Sequence, residues 1–193
     1  MSVCVPTLDR SIGYILLAAG GSRRFGGDKL ASKIDGQTLL QRAVDVADAA
    51  GFERRILVVS PLRTQHSFPG WEMVVNHNSR KGMATSVIAG LNRATDITRA
   101  VIGLADMPLV QPTHLRALAL AEGVVFTQQA NGNKGAPAAF PERSFDELRT
   151  LRGDRGAGSL HWPDARTIPV ANRNQLHDID TPDDLITARV MRG

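Results

Sequence analysis

Short apolar runs alternate with segments of helical spacing along this chain. Gly13–Ala19 (GYILLAA) is apolar throughout and runs into glycines, which predicts a buried strand. Leu40, Val44, Ala47 and Ala50 then recur at helical spacing over 39–50, and Gly51 predicts the stop. Strands follow over 55–60 (RILVVS), 71–76 (WEMVVN) and 100–105 (AVIGLA), with a helix over 85–94 between the last two. Helical spacing returns over 114–122 and 144–151, and extended pieces are expected over 124–127 and 166–170. The last helix has a clear start: Thr181 is a good N-cap, Pro182 suits the first turn, and Asp183 and Asp184 favour the positive end of the helix dipole.

Strand–helix alternation of this kind predicts an α/β fold, a single doubly wound and mostly parallel sheet with helices on both faces. With 193 residues and no evident linker or repeat, residues 13–193 form one domain behind a flexible leader, residues 1–12. The leader carries no apolar signal core, and no run approaches the length of a membrane span. The single cysteine, Cys4, excludes an internal disulfide and suits a reducing, cytoplasmic setting. A net charge of +4 is read as surface charge, and only 5% aromatic residues leave little for stacking on single-stranded nucleic acid. Neither a nucleic acid nor a membrane is expected as partner.

Ligands on open α/β sheets bind at the carboxyl ends of strands. There stands the loop Ala18-Ala19-Gly20-Gly21-Ser22-Arg23-Arg24-Phe25-Gly26-Gly27-Asp28-Lys29. Its glycines allow backbone N–H groups close to a phosphate chain, and Arg24 and Lys29 would neutralise phosphate charge. It fits neither G-x-x-x-x-G-K-[ST] nor G-x-G-x-x-G. The alternative for the glycines is a solvated surface loop.

The stretch resembles the L-A-A-G-x-S-x-R-M-G-x-x-K signature of the NTP-transferase family, through Leu17, Ala18, Ala19, Gly20, Ser22, Arg24, Gly26 and Lys29, with Phe25 in place of Met. It looks most like the branch of molybdenum cofactor cytidylyl- and guanylyltransferases. Further stretches agree: Lys81-Gly82-Met83-Ala84-Thr85-Ser86, Ala105-Asp106-Met107-Pro108 (Ala105 for Gly), Gly135-Ala136-Pro137, Gly153-Asp154-Arg155-Gly156 and Asp178-Ile179-Asp180-Thr181-Pro182.

The resemblance implies a Rossmann-like nucleotidyltransferase that joins a substrate phosphate to the α-phosphorus of an NTP and releases pyrophosphate. Such a reaction brings anions together and needs a divalent cation, and Mg²⁺ usually takes one or two protein carboxylates. By resemblance Asp106 is the principal ligand, Asp180 the second and Asp178 the fallback. Catalytic roles fall to Arg24, Lys29 and Asp106. Nucleotide contacts fall to Leu17, Ala18, Ala19, Gly20, Gly21, Ser22, Arg24, Lys29, Gly82, Ser86 and Asp106. Gly135, Pro137 and Arg155 face the acceptor, a molybdopterin-type cofactor, and a molybdenum hydroxylase or its maturation factor is the implied partner. Cytidylyl-transferring members tend to carry Ala-Ala-Gly where guanylyl-transferring ones carry Ala-Gly-Gly. Ala18-Ala19-Gly20 therefore points to CTP, with GTP or another phosphorylated acceptor as alternatives. A non-catalytic carrier of the cofactor is the alternative of another class.

Other features carry less. Arg143, Arg149, Arg152 and Arg155 read as a solvated basic face, the five histidines as isolated surface residues, and Trp71 and Trp162 as packing.

Overall fold

The computed structural model describes residues 6–22 and 24–191. Along the chain, β1 (Ile12–Ala18) leads through the glycine loop to a small hairpin, β2 (Lys33–Ile34) and β3 (Gln37–Thr38), and into α1 (Leu39–Ala49). Then come β4 (Arg54–Val59), β5 (Glu72–Val75), α2 (Met83–Arg93), β6 (Arg99–Leu104) and α3 (Pro112–Leu120). The chain closes with β7 (Val125–Gln128), β8 (Lys134–Pro141), α4 (Phe145–Arg149), β9 (Arg166–Ile168) and α5 (Pro182–Val190).

Seven strands form one sheet in the order β5-β4-β1-β6-β8-β7-β9. All are parallel except β8, which lies antiparallel between β6 and β7. β8 is the main departure from the expected pattern, since no strand or helix is expected between residues 127 and 144. Its sequence, KGAPAAFP, carries two prolines and several small residues, so its extended character comes from flanking strands rather than propensity. The hairpin turn is short, with Gln129 N–H bonded to Asn133 C=O.

Period-two alternation in β1 divides the core. Tyr14, Leu16 and Ala18 pack with Leu40, Val44, Leu115, Leu118, Leu185 and Ala188 from α1, α3 and α5. Ile15, Leu17 and Ala19 pack with Val87, Leu91, Phe145 and Leu148 from α2 and α4. Burying both faces is what a parallel sheet requires. Two terminators act as expected. Gly51 takes φ +83 just past α1, and Thr181 with Asp184 forms a full capping box at α5.

The segment expected as a loose leader is docked over its described part. Leu8 is buried in the α1–α3 side of the core, its N–H bonds Gly51 C=O, and Arg116 donates to Pro6 C=O. Residues 1–5, including Cys4, lie outside the described residues. Among the described residues no helix is long and apolar enough to cross a membrane.

Candidate active site

β1 and β6 are paired neighbours, with Leu17 beside Leu104, so the glycine loop and Asp106 leave the sheet side by side. Ala105 N–H still bonds Leu17 C=O, which fixes the next residue, Asp106, against the loop. The last segment joins them through Ile179 N–H to Asp106 C=O, 2.9 Å, and Ile179 is fully buried. Asp180 N–H and Thr181 N–H both bond the Asp184 carboxylate, so the capping box of α5 also orients Asp180.

Lys29 binds both carboxylates, with Nζ 2.7 Å from Asp106 Oδ2 and 3.1 Å from Asp180 Oδ1. Arg24 Nη2 donates to Asp180 Oδ2 at 2.6 Å. The two cations differ in freedom: the Lys29 side chain is 8% exposed and the Arg24 side chain 73%. Burial alone would push the Lys29 ammonium down, but the charges and hydrogen bonds of Asp106 and Asp180 hold it above the ordinary lysine value. Asp106 Oδ1 is buried without a hydrogen-bond partner. An orphaned carboxylate oxygen beside a second carboxylate suits a hard divalent cation. Among the described residues no cluster of three or more His, Cys, Asp or Glu could hold a metal, so a cation here would keep most of its water or take substrate oxygens. Asp178 is exposed, and the pairing with Lys29 and Arg24 falls to Asp180.

The loop itself is open: a Cβ at Gly20, Gly26 or Gly27 would meet nothing within 4 Å. Ser22 sits at φ +48, and its buried hydroxyl has no partner. Arg23 lies outside the described residues. Leu17, Ala18 and Ala19 are buried, Ala19 among the α2-side core residues, so their side chains pack in the core.

Sequence reasoning missed Arg63, the residue that fixes this loop. It is 6% exposed, and its guanidinium donates to Ala18 C=O and Gly20 C=O at one end of the loop and to Asp28 Oδ1, 2.6 Å, at the other. Burial alone would raise the Asp28 carboxyl, yet Arg63 and the N–H groups of Leu30 and Ala31 hold it below the ordinary range. Asp28 caps the turn that begins at Lys29, so Arg63 sets where Lys29 stands. Its only sequence signal is its place, four residues past β4, whose carboxyl end adjoins that of β1.

Two expected motifs meet at the start of α2. Gly82 has φ +110, and a Cβ there would lie 2.2 Å from the Gly153 carbonyl carbon. Ala84 N–H bonds Gly153 C=O at 3.0 Å. Ser86 is buried, and its hydroxyl, with that of Thr85, accepts from Asn76 Nδ2. Asn76 thus ties β5 to the start of α2, a second residue the sequence did not reveal. Gly135 and Pro137 lie on β8, with Ala136-Pro137 a cis peptide and Gly135 under the Gln129 side chain. Arg155 is exposed on the loop of the Gly153 motif, near Met83 through Gly156.

His114 corrects the reading of surface histidines. It is buried, and Nε2 shares a 2.8 Å hydrogen bond with Thr127 Oγ1, which donates to Pro137 C=O. Desolvation pushes its pKa down. Of the basic residues, Arg143, Arg152 and Arg155 are exposed, Arg149 pairs with Asp146, and Arg152 bonds the carbonyls of Arg149 and Leu151. Trp162 packs on Phe126 and Phe140, and Trp71 packs on Tyr14.

Residues 14–166 match the MobA-like NTP transferase domain. The chain is 30% identical over 200 residues to the Chloroflexus aggregans protein named "Probable molybdenum cofactor guanylyltransferase", covering 93% of this chain and 94% of that one. It is 29% identical over 191 residues to the purine catabolism protein PucB of Bacillus subtilis, covering 88% and 92%. The crystal structure of Rv0371c from Mycobacterium tuberculosis superposes with a TM-score of 0.80 at 31% identity, over 93% of this chain and 97% of that one. Rv0371c has also been solved in complex with manganese, at 28% identity and a TM-score of 0.76.

Proposed function

The chain belongs to the MobA-like NTP transferase family, a family of nucleotidyltransferases, and from that premise we propose that it transfers CMP from CTP to a molybdopterin-type cofactor and releases pyrophosphate. The observation that carries nucleotidyl transfer is the meeting of Lys29, Asp106 and Asp180 at the mouth of the glycine loop, with Asp106 Oδ1 unpartnered. Asp106 and Asp180 would hold a divalent cation, Mg²⁺ or Mn²⁺, which when bound neutralises the phosphates and stabilises charge as the bond to the α-phosphorus forms. The manganese complex of Rv0371c supports such a cation. Arg24, whose side chain is 73% exposed, has room to turn from Asp180 to a phosphate, and the buried Lys29 stays between the carboxylates and the loop. Gly20, Gly21 and Ser22 offer backbone to the triphosphate. Gly82 and Ser86 shape the nucleotide side through the start of α2, and Gly135, Pro137 and Arg155 the acceptor side. A phosphate acceptor is already ionised at neutral pH, so positioning and electrostatics suffice without a general base.

The preference for CTP rests on Ala18-Ala19-Gly20. The name of the Chloroflexus aggregans relative favours a second reading, transfer of GMP from GTP to the same acceptor. A molybdenum hydroxylase or its maturation factor would receive the product. Pyrophosphate release with each of CTP, GTP, ATP and UTP, with acceptor and Mg²⁺ or Mn²⁺, separates the readings. Release with CTP alone supports the first, and with GTP alone the second. No release with any nucleotide, together with tight cofactor binding, would make the protein a carrier. Asp106→Ala is expected to lower turnover more than about 100-fold while the fold persists.

A further inference from the structure

We infer that the cavity between α1, residues 108–111 and residues 172–175 is a second binding site, for a neutral planar heterocycle with a lactam edge, of the purine or pterin class. The cavity measures about 410 Å³, within the range of small-molecule sites. None of the glycine loop, Lys29, Asp106 or Asp180 lines it, so it is separate from the site described above.

Its chemistry is specific. Five carboxamides face it: Gln37, Gln111, Asn172, Asn174 and Gln175. Its two charged wall residues are committed elsewhere. Arg42, 8% exposed, spends Nε and Nη2 on Ile34 C=O and Asp35. Asp45 accepts from the side chains of Gln37 and Gln41. Gln37 Nε2 is spent on Asp45, Gln111 Nε2 on Leu109 C=O and Asn172 Oδ1 on the Asn174 N–H, and the remaining amide groups beside the Asp45 carboxylate disfavour phosphates and other anions. Gln175 is 6% exposed, and its Oε1 has no partner among the described residues. A buried carbonyl left unpaired is costly, and a ligand N–H would satisfy it. Val46, Pro108, Leu109 and Val110 supply an apolar wall for a ring face. Carboxamides read heterocycle edges by paired donor and acceptor, as Asn and Gln do with adenine.

The walls also connect to the chemistry. Residues 108–111 follow Asp106 directly, and residues 172–175 precede Asp180 by a few positions. A ring seated here braces both segments that deliver the carboxylates. Such a ring has two sources, the acceptor's own heterocycle or a free nucleoside or pterin acting as effector.

Calorimetric titration of the full chain with pterin and with guanosine, neither bearing phosphate, tests the site. Purine riboside, which lacks the lactam, is the control. Saturable binding of pterin or guanosine but not of the control is expected, weakened about tenfold by Gln175→Leu, by Gln111→Ala and by Asn174→Ala, with unchanged melting for the variant at the exposed Gln111. A rise in acceptor KM with kcat held in Gln111→Ala identifies the ring as the acceptor's. A transfer rate that responds to added guanosine or pterin, with acceptor KM unchanged, identifies an effector. Lack of saturable binding, binding that survives all three variants, or displacement by CTP with Mg²⁺ would overturn the inference. Asp106→Ala keeps this binding while losing transfer, so the failure of either proposal is visible without the other.

Discussion

Lys29 Nζ lies 2.7 Å from Asp106 Oδ2, 77 residues away in sequence, and the same ammonium reaches Asp180. One buried cation therefore holds two carboxylates that would otherwise repel each other, and the glycine loop is tied to the place where a metal would sit.

Removing that cation by Lys29→Met is expected to abolish turnover and to lower stability in metal-free buffer by about 1–3 kcal/mol, because each charge-assisted bond is worth about that much at partly exposed carboxylates. Added Mg²⁺ should recover more stability in the variant than in the parent, since the metal then replaces the ammonium between Asp106 and Asp180. Thermal melts with and without Mg²⁺ measure both. An equal metal response in the two proteins would remove these carboxylates from the metal site.

Arg63 is not itself among the expected nucleotide contacts, yet through Ala18 C=O, Gly20 C=O and Asp28 it holds both ends of the loop. Arg63→Ala should raise KM for the nucleotide about tenfold or more and loosen the loop, because Ala18 C=O, Gly20 C=O and Asp28 lose their common donor. Arg63→Lys, which keeps the charge but not the fork, should fall between. Steady-state kinetics beside urea melts separate the effects. A loss of stability with unchanged KM would assign Arg63 to the core alone.

Gly82→Ala places a Cβ 2.2 Å from the Gly153 carbonyl carbon at a backbone φ of +110. Both costs point the same way, and destabilisation of about 2 kcal/mol or more is expected, with weaker nucleotide binding as α2 and the Gly153 loop part. Denaturant midpoints and nucleotide titration test it. A neutral substitution would mean that the Gly153 loop yields freely.

His114 is neutral and desolvated in the folded protein, with its pKa held below the ordinary 6.5. The unfolded chain takes up this proton first as pH falls, so the contribution of His114 is complete above about pH 6.5 and is lost as pH drops toward the folded value. The parent should lose melting temperature between pH 7.5 and pH 5 more steeply than His114→Gln, which can still bond Thr127. Parallel slopes would show that another group governs acid sensitivity.

The alternation of apolar runs was enough to read β1, β4, β6, α1 and α5 from the chain, because their side chains face a core on a regular period and their ends carry local signals such as Gly51 and Thr181. The candidate residues were legible for a related reason: glycines, Asp106 and Lys29 stand at strand ends, and the motifs they form resemble a known family. β8 was not legible, since its small residues and prolines have weak preferences and only β6 and β7 on either side make it a strand. Nor was the role of Arg63, Asn76 or Gln175, whose partners are remote in the chain and meet them only after the sheet closes. Local propensity and pattern act over a few residues and so are written in the sequence. Burial, pairing of distant charges and the contact of Asp180 with Lys29 and Arg24 depend on which segments become neighbours, and only the tertiary structure decides that.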